Sequence, residues 1–117
     1  MKIDILGTKY NIILDADIKD YPKLKDLNGY TDPSTKEIVV AKFIEDGFTV
    51  ANGEDCIKKV LRHELVHAFL YESGLNGQSD WARNEEMVDW IALQFEKMLN
   101  VFIKTKAINE VNKWNIQ

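Results

Sequence analysis

Chemistry in this chain concentrates in the stretch RHELVHAF, which holds both of its histidines, His63 and His67, with Glu64 between them. On an α-helix, residues four apart differ by about 40° in azimuth and about 6 Å in height. Two imidazoles so placed reach a single tetrahedral cation without backbone distortion, because Zn–N bonds of about 2.0–2.1 Å leave little freedom. Glu64 lies beside His63 on the adjoining strip of the helix. It is too near in sequence to complete a tetrahedron, but it can accept a proton from water at the metal. This is the HExxH arrangement, with His63 and His67 as metal ligands and Glu64 as general base. The competing reading is an ordinary amphipathic helix with two satisfied histidines.

A catalytic zinc normally takes three protein ligands, and no third histidine exists. Acidic residues are therefore the candidates, and NEEMVD, residues 84 to 89, supplies them. Glu85 and Asp89 are four apart, so they share a helix face that Ala92 continues with a small side chain. In this reading Glu85 is the third ligand. Asp89 accepts the free N–H of a zinc histidine, fixing its tautomer, and Ala92 lets two helices approach. Glu86 is the rival ligand, pointing about 100° away toward the face of Trp90. An exposed acidic first turn that complements the helix dipole is the plain alternative. Tyr71, one turn beyond His67, and Arg83 are candidates for the oxyanion donor, each also readable as a packing or surface residue. Cys56 sits about 10 Å from His63 along the helix axis, too far to share a metal. Trp81 and Trp90 flank the acidic segment, either as walls of a cleft or as core and rim residues.

These segments must sit on helices that something else holds in place. From about Asn52 to Tyr71, Ile57, Val60, Leu61, Leu65, Ala68 and Phe69 recur at helical spacing, with Asn52 as N-cap and Ser73-Gly74 as the stop. A second helix is expected from Asp80 or Asn84 to Phe102, burying Met87, Val88, Ile91, Phe95, Met98, Leu99 and Phe102. The first half reads as strands and turns. KIDILGTKYNIIL suggests a hairpin around Gly7-Thr8. KEIVVAKF is a strand candidate and GFTVA another. DIKDYPKLKDLNGYTDPSTKE is rich in turn signals. EIVVA reads as a plain core strand or as an open edge for an extended peptide. The tail KTKAINEVNKWNIQ is a short helix or a frayed end.

The 117 residues suit one α+β domain, residues 1–117, with a small sheet packed on the HExxH helix. A net charge of −4 and scattered Lys and Arg argue against nucleic acid as a partner. No apolar run suggests a membrane span, Asp4 interrupts any export signal, and a lone cysteine suits the cytoplasm.

HELVH with a downstream NEEMVD resembles the gluzincin pattern HExxH plus N-E-x-x-S-D, with Val88 where that pattern has serine. More closely, LRHELVHAFLYESG and NEEMVDWIALQF resemble the small ImmA/IrrE-type zincin metallopeptidases and their relatives in phages and mobile elements, over roughly residues 30 to 100. The resemblance implies a zincin-like fold, a bound Zn2+, and intracellular cleavage of a protein, in known cases a repressor-type regulator. A protein or peptide substrate is thus the expected partner. The alternative is a non-catalytic regulatory protein that keeps the metal-binding fold. Glu64 argues against it, since a purely structural zinc site closes its fourth position with another protein ligand.

Overall fold

The computed structural model describes residues 1–43 and 53–109. Its elements run β1 (Lys2–Ile5), β2 (Thr8–Ala16), β3 (Gly29–Asp32), β4 (Glu37–Ala41), α1 (Gly53–Glu72) and α2 (Glu85–Lys104). Short 3-10 turns at Pro22–Leu24, Leu75–Gly77 and Asp80–Arg83 join them. The class is α+β, with one four-stranded sheet ordered β1-β2-β4-β3. β1 pairs antiparallel with β2, β2 parallel with β4, and β4 antiparallel with β3.

The expected hairpin is present. Leu6 and Gly7 both take positive φ, 51° and 93°, which lets a two-residue loop follow the right-handed twist of β1 and β2. Alternation along β4 then divides the core. Ile38 and Val40 join Ile5, Tyr10, Ile12 and Ala68 under α1, whose Ile57, Val60, Leu61 and Leu65 pack there. Val39 points the other way, to Ala16 and Leu24. A third cluster, Leu70, Ala82 and Val88 with Val66, fastens α2 and the 80–83 turn to α1. Arg62 adds a polar clamp, its Nε donating to the Ala92 carbonyl at 2.7 Å and its Nη1 reaching Glu96 at 3.0 Å.

Helix ends follow local chemistry. Gly74 stops α1 in the left-handed region at φ 84°. Asn84 caps α2, its side chain accepting from the Met87 N–H at 3.0 Å, with Glu85 and Glu86 in the first turn. The Asp80–Arg83 segment is a separate 3-10 turn, so α2 starts at the later of the two expected positions.

Two expectations are corrected, and two open alternatives are decided. The turn-rich segment before residue 37 contains a strand, β3, formed by pairing with β4. EIVVA is β4 and lies between β2 and β3, which bears out its reading as a core strand over that of an open edge; the edge strand on that side is β3. The expected buried face of α2 is mostly exposed: only Val88 is buried, while Met87, Phe95, Met98 and Phe102 face outward. The small residue Ala92 takes their place against α1. Trp81 and Trp90 are exposed, which removes the core reading and keeps the rim one. Asn52 as a cap, GFTVA and the tail from residue 110 lie outside the described residues.

Candidate metal centre

α1 brings His63 and His67 to one side, half-buried, with their Nε2 atoms 3.2 Å apart. The first turn of α2 brings Glu85 to the same point. Its Oε1 lies 2.6 Å from His67 Nε2 and 3.5 Å from His63 Nε2. Two imidazole nitrogens and one carboxylate oxygen on a tetrahedral zinc would be separated by about 3.4 Å. The three observed separations bracket that value, so the donor set fits the cation in type and spacing. Glu85 is 69% exposed at its side chain, which leaves the outer side of the cluster open to solvent and substrate.

Asp89 stands where its spacing predicts, with Oδ1 3.4 Å from His63 Nδ1. A proton on Nδ1 leaves Nε2 as the free electron pair, the tautomer a metal ligand needs. Glu86 takes no part; the cluster of possible ligands among the described residues is His63, His67 and Glu85.

Glu64 is the buried member, 7% exposed. Thr31 faces it from β3, its Oγ1 lying 2.9 Å from Glu64 Oε1 and 2.8 Å from the Glu64 carbonyl oxygen. Burial pushes the Glu64 carboxyl above the usual range. The Thr31 hydrogen bond and the two imidazoles pull it back, and the Glu85 carboxylate reinforces the rise. β3 comes this close because Gly29 has no side chain. A Cβ there would lie 2.8 Å from Val60 Cγ1 and 2.9 Å from the Val39 carbonyl oxygen. Gly29 and Thr31 pair with Val40 and Ile38, so both face α1.

Two clefts meet at the cluster. One, about 360 Å³, runs past Asn28, Cys56, Val60 and Asp89. The other, about 320 Å³, runs past Tyr30, Pro33, Tyr71 and Asn76. Leu27, Gly29, Glu64 and Glu85 line both, so together they form a groove along β3. A larger, more apolar cavity of about 630 Å³ adjoins through Leu27, Asn28, Cys56 and Val60 but contains none of the candidate ligands. Tyr71 is in the groove. Arg83 is engaged elsewhere, holding the Asn76 carbonyl and Asp80 at 2.6 Å each, so it is not poised as an oxyanion donor. Neither tryptophan lines these clefts. Gly29 and Thr31 carry no signal in the sequence because their strand lies among turn formers, and Leu27 sits in the turn before it.

No helix among the described residues is long and apolar enough to cross a membrane. No match was found among curated proteins or among solved structures. A family model does match, over residues 21–115, which spans β3, β4 and both helices. It bears out the peptidase expectation at that level, while kinship to the ImmA/IrrE type rests on the two quoted segments alone. By that match the chain belongs to the BSP family, the peptidases of plants and bacteria.

Proposed function

We propose that this peptidase is a zinc-dependent endopeptidase of the zincin type, acting on a protein or peptide substrate in the cytoplasm. The observation that carries the reading is the convergence of His63, His67 and Glu85 on one point beside the buried carboxylate of Glu64. Zn2+ held by those three residues would acidify water and polarise the scissile carbonyl. Glu64 takes the proton of the attacking water and returns it to the leaving amine. Burial raises its carboxyl, which strengthens it as a proton acceptor, and the Thr31 hydrogen bond tempers that rise. Asp89 keeps His63 oriented. Tyr71, which lines the groove together with His67, is the candidate donor to the oxyanion. The free edge of β3 gives an extended substrate backbone partners along the groove.

The deciding experiment combines metal analysis of the purified protein with hydrolysis of an unfolded protein substrate. About one zinc per chain is expected, with Glu64→Gln keeping the metal and losing activity by roughly 100-fold or more. Zinc-free protein, or activity indifferent to Glu64→Gln, overturns the proposal. Stoichiometric zinc without Glu64-dependent hydrolysis would instead favour a regulatory protein on the same fold.

A further inference from the structure

α2 carries two faces. Glu85, Asp89, Ala92 and Glu96 look toward α1 and the candidate centre. On the opposite side, Met87, Ile91, Gln94, Met98 and Val101 recur at alternating steps of four and three, the spacing of a helix-pairing seam. Trp90, Phe95 and Phe102 flank it. Ile91 and Gln94 are half-buried, and the large side chains around them are open: Trp90 is 51%, Phe95 52% and Val101 55% exposed. From Met87 to Val101 the stripe runs about 21 Å along the helix. It presents about 500 Å² of mostly apolar surface, within the size range of the largest patch on a monomer, which is often a functional surface.

We infer that this face pairs with the same face of a second copy of the chain, antiparallel about a two-fold axis near Gln94 and Phe95. Two such faces bury roughly 1,000 Å², the lower bound for a specific interface. The charges decide the direction. Glu86 and Lys104 are exposed on the same flank of the seam, at its two ends. Antiparallel pairing sets Met87 against Phe102 and Ile91 against Met98. It brings Glu86 of each copy beside Lys104 of the other, because like flanks meet in that arrangement. Parallel pairing leaves these two charges at opposite ends. The side of α2 packed on α1 takes no part in the pairing, so both candidate grooves remain open in the dimer.

Sedimentation of the full chain tests the pairing, and it needs no activity. The expected mass is twice 13.5 kDa. Phe95→Glu and Met98→Glu should each give the 13.5 kDa species with an unchanged far-ultraviolet dichroism spectrum. Glu86→Lys should weaken association several-fold, and adding Lys104→Glu should restore it. A wild-type monomer up to the solubility limit overturns the inference, including one that dimerises only after residues 110–117 are removed. So does a dimer that survives both apolar-to-Glu substitutions. A charge swap that fails to restore association overturns the antiparallel arrangement.

Discussion

Thr31→Val isolates the contribution of β3 to the candidate general base. Valine keeps the shape of threonine and its β propensity, and removes one hydroxyl. That hydroxyl has a single proton and two acceptors on Glu64, the carboxylate oxygen at 2.9 Å and the backbone carbonyl at 2.8 Å. A hydrogen bond to a charged group contributes about 1.5–3 kcal/mol. Because this proton is shared, the lower end applies to the carboxylate, and about 1.4 kcal/mol corresponds to one pKa unit. Burial already raises the Glu64 carboxyl and Thr31 opposes that rise, so the substitution lifts it further. The base must be ionised to work, so activity is lost first on the acid side. We expect the acidic limb of the kcat/KM profile to move about one unit toward alkaline pH. The plateau at high pH should change little, and zinc content should not change. Thr31→Ser, which restores the hydroxyl, should bring the limb back. An acidic limb at the same pH in wild type and Thr31→Val would refute the assignment of that limb to Glu64, or the Thr31 contact itself.

Three further outcomes follow from the same contacts. Gly29→Ala should destabilise the fold by about 1–3 kcal/mol in urea titrations, because the new Cβ meets Val60 and the Val39 carbonyl and pushes β3 off α1; activity should fall with it as Thr31 leaves Glu64. Glu64→Gln, measured on chelator-treated protein, should stabilise the fold by roughly 1 kcal/mol at neutral pH. A carboxyl whose folded pKa is raised costs stability above that pKa and nothing below its unfolded value near 4.3, so the difference should vanish in acid. Glu72→Gln should cost about 2–4 kcal/mol, since Glu72 accepts from Tyr10 at 2.7 Å, Thr8 at 2.8 Å and Lys36 at 3.0 Å. The Tyr10 hydrogen bond and then Lys36 hold its carboxyl low. That stability is present above the unfolded value and lost as pH falls through the folded one, so wild type and variant should converge in acid.

What could be read in advance was local, and what could not was set by distant partners. His63, Glu64 and His67 share one helix, and Glu85 and Asp89 share another, so the spacing within each segment fixed their relative placement before any fold was known. Gly7 marked the β1–β2 hairpin for the same reason, since the turn needs positive φ there. β3 is different. Gly29, Tyr30, Thr31 and Asp32 lie between Asn28 and Pro33, and only pairing with β4 makes them a strand. Its two functional contributions, the missing Cβ of Gly29 and the hydroxyl of Thr31, disappeared with it.

The error on α2 has a more general cause. A hydrophobic stripe says that a helix surface is to be covered, not by what. Large residues on such a stripe are expected in the core because large apolar side chains bury the most area. Yet α1 and α2 must come close enough for Glu85 to lie within 2.6 Å of His67. Side chains the size of Phe95 or Met98 between the helices would hold them apart. Ala92, over which Arg62 reaches to a backbone carbonyl, allows the approach. Convergence of the candidate ligands therefore requires small residues on the inner face of α2, which displaces the large apolar ones to the outer face. The same requirement that assembles the centre thus creates the exposed seam, so the site and the proposed pairing surface are two faces of one constraint on α2.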